Sequence, residues 1–333
     1  MTNKKIKSHV NQIYNQDCID GMALIPDDLV DLIITDPPFA IDFKAKKANY
    51  NRIGSRVLEG YKEIPKEDYY EFTLNWMRQC FRILKDTGSM YVFSGWNNLR
   101  DILNAIEELN FVTVNHVIWK YQFGVVTSRK YVTSHYHCLF ICKNDKKRKF
   151  FPYERFGKNE KNEQGGSLHY QDKEDVWQIK REYWNGDQKT PTKLPAEIII
   201  KILQYSSEKN DLIFDPFLGS GQTAVVSKMQ KRNYLGFEIV KEYYDFITKR
   251  LDSGSYRLKI KILKSLNCSV SVDFKKICND ICPIIKKFPK KLDGKKSILE
   301  MKENNGSNWK QMEWMGFYFE YWCNKNLKKI MQM

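Results

Sequence analysis

The stretch Asp31-Leu32-Ile33-Ile34-Thr35-Asp36-Pro37-Pro38-Phe39 constrains the fold of this chain more than any other. A nearly continuous apolar run has no polar face to offer water, so it reads as a strand covered on both sides, as strands are in parallel sheets. It stops on a carboxylate followed by two residues that lack backbone N–H groups. Residues 211–217 read as another strand, and it too closes on an Asp-Pro pair. Between and around these runs, strand and helix patterns alternate. Residues 12–17 suggest a strand ending at Asp17, before a turn and a short helix. Residues 66–84 carry apolar positions at helical spacing and lead into a turn at 85–88. Strands are expected at 89–95, 111–121, 136–142 and 233–239, and helices at 98–110, 195–207, 222–230 and 241–253. That alternation predicts an α/β fold with a doubly wound, mostly parallel sheet.

At 333 residues and 42% apolar content, the chain can bury a large core and an appendage besides. Its 55 Lys and Arg against 40 Asp and Glu leave a net charge of +15, which favours a polyanionic partner. The eight cysteines are scattered, and neither a secretory signal nor a membrane-length apolar run is visible, so a reduced, cytoplasmic protein is expected. Cys138 and Cys142 lie near His135 and His137, and Cys278 and Cys282 share their spacing. The 137–142 segment alternates as a strand does and lacks zinc-type spacing, so no metal is expected.

Two sites suggest themselves on one sheet. After Asp215, Gly219 and Gly221 form a tight turn before a helix, which lets a ligand approach the backbone closely. About twenty residues on, Glu238 ends the next strand, at the distance that suits a ribose diol. A phosphate-binding loop is the rival, but Gln222 precedes Thr223 where that loop needs a lysine. The second site is Asp36-Pro37-Pro38-Phe39. Ligands in open α/β sheets bind beyond the carboxyl ends of strands, where Asp36 and Asp215 both fall. The prolines leave an edge of acceptors, and Phe39 offers a face for stacking. Acceptors beside a ring suit an exocyclic amine on a nucleobase.

Residues 11–253 resemble the β class of S-adenosylmethionine-dependent amino-DNA methyltransferases. Asp36-Pro37-Pro38-Phe39 matches that family's catalytic tetrad, residues 214–223 its glycine-turn cofactor motif, and residues 235–239 the acidic strand that follows. Residues 14–18 match an upstream cofactor segment, and residues 190–203 the start of a cofactor-side helix, with Thr192-Lys193-Leu194-Pro195 where many members read Thr-x-Lys-Pro. The order, catalytic motif before cofactor motif with a basic segment between, is that of the β class.

The resemblance implies a Rossmann-like class I methyltransferase fold and S-adenosylmethionine as cofactor. It divides the chain into a catalytic half at 11–142, a target-recognition region at 143–187, a cofactor-binding half at 188–253 and an extension at 254–333. Asp36 and the Pro37 carbonyl would accept the N–H groups of a flipped base, with Phe39 stacked on it and Pro38 completing the turn. Asp17 would contact the cofactor's adenine end with Cys18 beside it; Asp36, Asp215, Phe217, Gly219, Gly221 and Thr223 would enclose the rest, and Glu238 would take the ribose. A leading Asp in the tetrad points to adenine N6. Duplex DNA would be held by Lys44, Lys46, Lys47, Arg52 and Arg56 in the basic loop after the tetrad, and by Lys146, Lys147, Arg148 and Lys149 in a stretch, 143–158, with seven basic residues against two acidic. Trp119, Lys120 and Tyr131 could also line the pocket, with a place in the core the equal alternative for Trp119. A homodimer and a cognate restriction endonuclease are the further partners implied. The tail from 256 to 296 is basic, and 309–322 is rich in aromatics. Cytosine-N4 or RNA methylation on the same fold, and a catalytically silent DNA-binding relative, stay open at this point.

Overall fold

A computed structural model describes residues 9–38, 64–122, 124, 127–182 and 193–253. Phe39, the basic loop and the whole extension lie outside the described residues. In chain order the elements are β1 (Gln12–Tyr14), α1 (Cys18–Ala23), β2 (Val30–Thr35), α2 (Tyr69–Ile83), β3 (Leu84–Ser94), α3 (Trp96–Glu108), β4 (Val112–Lys120) and β5 (His135–Cys142). They continue with α4 (Leu168–Asp172), β6 (Val176–Gln178), α5 (Ala196–Ser206), β7 (Leu212–Asp215), α6 (Gln222–Met229), β8 (Asn233–Phe237) and α7 (Lys241–Ser253). Eight strands form one sheet in the order β1-β8-β7-β2-β3-β5-β4-β6. All run parallel except β5, which is antiparallel to both its neighbours. The expected doubly wound α/β fold is the observed one.

The sheet takes this form because its central strands have nothing to show water. All six residues of β2 are buried, as are all four of β7. Helix α2 covers β2 with one stripe: Tyr69, Thr73, Trp76, Met77, Cys80 and Ile83 are buried at helical spacing. Helix α5 is buried nearly all round, so its isoleucines pack on more than one side. Both sheet edges are closed by strands of three residues, short enough to offer little template for another chain.

Two boundaries differ from expectation. The first strand ends at Tyr14 rather than Asp17, because Asp17 leaves extended pairing to accept the backbone N–H groups of Ile19 and Asp20 and so caps α1. Residues 85–88 are not a free turn between helix and strand. Helix α2 passes directly into β3, and the single residue Asp31 of β2 is set against Lys85 to Gly88, a bulge between the pairs Val30–Leu84 and Leu32–Ser89. Asp31 secures that irregularity from within: it accepts from Lys85 Nζ at 2.7 Å and from the Leu212 N–H at 2.9 Å.

Candidate active site

Strands β2 and β7 lie side by side, with Leu32 opposite Ile213 and Ile33 opposite Phe214. From β2 the sheet continues through β3 in one direction; from β7 it continues through β8 in the other. Such a reversal opens a crevice beyond the carboxyl ends of the two strands. Asp36 and Asp215 stand there.

Asp215 is 4% exposed. One carboxyl oxygen accepts the Phe217 N–H at 3.1 Å, and the hydroxyls of Thr223 and Thr35 lie beside the group. Burial pushes its pKa up to about 6, against the pull of those donors. The Asp36 residue keeps some surface, yet its carboxyl is deep enough that burial, and then Asp215, raise it to about 7; Arg181 opposes both. Two carboxyls share one dry crevice, so the crevice favours a bound cation over a bound anion.

The glycine turn follows from β7. Gly219 and Gly221 have φ of 52° and 70°, a region that favours glycine. A β-carbon at Gly221 would come within 2.5 Å of Ile247, whereas one at Gly219 would meet only open space and the Phe217 carbonyl at 3.8 Å. Gly221 thus serves the packing of α7, while Gly219 presents bare backbone. Phe217 is held edge-on to Trp76, with ring centres 5.3 Å apart, and lies 5.9 Å from Phe72, so α2 fixes the turn from below. Glu238, 7% exposed, accepts from the Gly219 N–H at 2.7 Å through one oxygen and from the Val240 N–H at 2.9 Å through the other. Burial lifts it to about 7 against those amide bonds. The Ile239 N–H also acts on this carboxylate, which leaves one lone pair for a further donor. Asn15 donates to the Glu238 carbonyl at 2.8 Å, which draws Asp17 and Cys18 to the same corner. The Cys18 thiol is pushed far up by burial, then by Asp17 and Asp215, and holds its proton as an unreactive small side chain.

The structure therefore brings together Asp17, Cys18, Asp36, Pro37, Asp215, Phe217, Gly219, Gly221, Thr223 and Glu238 around one edge of the sheet. Pro37 is buried and Pro38 partly so. Phe39, Lys44, Lys46, Lys47, Arg52 and Arg56 fall outside the described residues. The other basic group is not gathered here. Lys147 pairs with Asp86 at 2.7 Å, Arg148 with Asp145 at 2.7 Å and Lys149 with Asp211 at 2.8 Å, while Lys146 is exposed. Asp86 and Asp211 belong to the starts of β3 and β7, the sheet edge opposite Asp36. Trp119 is buried and donates to the Ile179 carbonyl at 2.7 Å; Tyr131 is almost fully exposed. Cys138 and Cys142 are buried on β5, and burial raises both thiols.

Lys193 gains a partner that motif matching left undefined. Its ammonium pairs with Glu182 at 2.6 Å, and Glu182 also accepts the Ala196 N–H of α5 at 3.0 Å and Gln222 Nε2 of α6 at 3.3 Å. Sequence reasoning also missed Arg181 and Tyr136, which act on Asp36, and Tyr121, which faces Arg181; none carries a motif, and the reversed strand β5 is what delivers Tyr136.

The family model described as DNA methylase, covering N6 and N4 enzymes, matches residues 30–250. The chain is 31% identical over 265 residues to the type II methyltransferase M.HinfI of Haemophilus influenzae, covering 75% of this chain and 71% of that protein. To M.BglII of Bacillus subtilis it is 30% identical over 260 residues, covering 72% and 68%. Among solved structures, the PvuII DNA methyltransferase (cytosine-N4-specific) superposes with a TM-score of 0.56 at 18% identity, covering 77% of this chain and 91% of that one. The M1.HpyAVI–SAM complex gives 0.50 at 24% identity, covering 72% and 98%. Those two structures share the fold. The family match and the two relatives go further, and by them this chain belongs to the N6/N4 family of S-adenosylmethionine-dependent DNA methylases.

Proposed function

We propose that the protein methylates adenine at N6 in a specific duplex DNA sequence, acting on a base turned out of the helix. The observation that carries this reading is the pair of desolvated carboxyls, Asp36 and Asp215, at the switch point of a chain from this family. The choice of adenine rests on the leading Asp of the Asp36-Pro37-Pro38-Phe39 tetrad. The fold does not choose, since the enzyme named for cytosine N4 shares it.

The residues suit the cofactor. Gly219 offers bare backbone, Glu238 keeps an acceptor site for a ribose hydroxyl, and the Asp36–Asp215 crevice tolerates a cation. S-adenosylmethionine, when bound, supplies an electrophilic methyl on a positively charged sulfur. The protein's task is to prepare the nitrogen. An exocyclic amine shares its lone pair with the ring and attacks poorly; Asp36 and the Pro37 carbonyl, accepting its two N–H bonds, would draw the nitrogen toward tetrahedral geometry. One N–H proton must leave once the N–C bond has formed, and a carboxyl with a pKa near 7 is matched to receive it. Phe39 would stack on the extruded base, and the basic residues from Lys44 to Arg56 would close over the duplex. No cysteine nucleophile is needed, and Cys18 with its raised pKa would make a poor one.

The names of the relatives, type II methyltransferases, support a role beside an endonuclease that cuts the same sequence, hence a cytoplasmic enzyme. Among the described residues no helix is long and apolar enough to cross a membrane. Labelled S-adenosylmethionine and mixed-sequence duplex DNA, followed by nucleoside mass spectrometry, test the base. N6-methyladenine is expected; N4-methylcytosine would overturn the adenine assignment and keep the chemistry.

A further inference from the structure

Strands β4 and β6 run parallel to β2, so the residues just beyond their ends reach the same sheet edge as Asp36. Those residues are Tyr121, next after β4, and Arg181, a short step after β6. Because β5 runs the other way, its start delivers Tyr136 to the same edge. The Arg181 guanidinium carbon lies 3.9 Å from the centre of the Tyr121 ring and 5.4 Å from that of Tyr136, and Arg181 also donates to the Tyr136 hydroxyl. Two aromatic faces orient a planar cation as a single ammonium would not be oriented. The chain on either side is fixed as well: the Ile179 carbonyl accepts from Trp119 Nε1, and the Glu182 carboxylate is tied to Lys193, to the start of α5 and to Gln222. Arg181 Nε is buried and has no hydrogen-bond partner among the described residues.

A charge placed with such care, with a donor to spare, needs a purpose. Among the described residues, the titratable groups that act on Asp36 are Asp215 from β7, Tyr136 and Cys138 from β5, and Arg181. Within that set of described residues, Arg181 is the cation. We propose that Arg181 is a positioning residue for methyl transfer: clamped by Tyr121 and Tyr136, it sets a fixed positive charge beside Asp36 and so keeps that carboxyl in the form that accepts a hydrogen bond from the target amine. A protonated Asp36 would spend one oxygen as a donor and could not serve an N–H group there. The proposal rests on the reading of Asp36 as the acceptor.

The test compares single-turnover methyl transfer from pH 5.5 to pH 9 for wild type, Arg181→Gln and Arg181→Lys, with about equal cofactor occupancy set by direct binding. Arg181→Gln should move the midpoint of the rate profile upward by at least about one pH unit, so that transfer at pH 7 falls by about fivefold or more and recovers toward pH 9. Arg181→Lys keeps the charge and should hold the wild-type midpoint, even at a lower rate. A Gln profile lowered in parallel at every pH would overturn the proposal and leave Arg181 a structural residue. Should the Gln variant fail to bind cofactor, the Lys variant decides: a shifted midpoint in a protein that still binds cofactor overturns it equally. Asp36→Ala, run alongside, separates the two readings. If that variant still transfers methyl groups as wild type does, the assignment of Asp36 fails, whatever Arg181 does.

Discussion

Asp36, Asp215 and Glu238 are each held above the usual carboxylate range, near 7, 6 and 7, chiefly by burial. Raised carboxyls bind protons in the folded state that the unfolded chain has released. Their contribution to stability is therefore full below the ordinary carboxylate values and is lost as pH rises through 6 to 7. The cofactor-free protein should melt at progressively lower temperature as pH is raised from about 5 to about 8. A cation bound between Asp36 and Asp215 would lower both pKa values. Titration calorimetry in buffers of different ionisation heat should thus record net proton release on cofactor binding near pH 6.5; net uptake would contradict the assignment of these carboxyls to the cofactor site. The positions of Asp36 and Asp215 were legible in the sequence, because a strand that ends in Asp-Pro declares its carboxyl end. Their protonation was not, since it depends first on burial and, for Asp36, next on Asp215, conditions that exist only once β2 and β7 pair.

At the scale of elements, a buried polar knot joins α4, α5 and the segment after β5. Asp172, with a side chain 16% exposed, accepts from Arg155 Nε at 2.8 Å and from the Tyr205 hydroxyl at 2.6 Å, and it faces the Lys201 ammonium. Burial alone would raise the Asp172 pKa, but Lys201 and Arg155 outweigh it and hold the carboxyl below its usual range. Lys201 is itself lowered to about 8 by burial. Asp172→Ala leaves two buried cations uncompensated and should cost about 3–5 kcal/mol in denaturant unfolding. A loss under about 1 kcal/mol would mean that water already satisfies Lys201 and Arg155. Apolar spacing announced helix α5, whose isoleucines recur at helical positions. The knot gave no such signal. Asp172 sits in a polar, aperiodic stretch, and its partners come from two other parts of the chain.

For the whole molecule, strand-and-helix alternation was enough to predict a doubly wound sheet, and both strands ending in Asp-Pro took central places in it. Less was visible where tertiary contacts override local pattern. Residues 85–88 look like a turn and are drawn into a bulge by Asp31. Lys147 to Lys149 look like a DNA-holding run, and each is paired with a carboxylate at the far edge of the sheet. The aromatic clamp around Arg181 needs the reversed strand β5, which no residue pattern specifies. What unites the molecule is the claim that cofactor and target amine meet at Asp36, and one comparison tests it most directly. Wild type and Asp36→Ala would be measured side by side for S-adenosylmethionine binding and for methyl transfer to duplex DNA. The account predicts cofactor affinity within about tenfold of wild type and transfer reduced by roughly 100-fold or more, the scale on which a lost transition-state hydrogen bond is felt. Transfer at the wild-type rate by the alanine variant would contradict it.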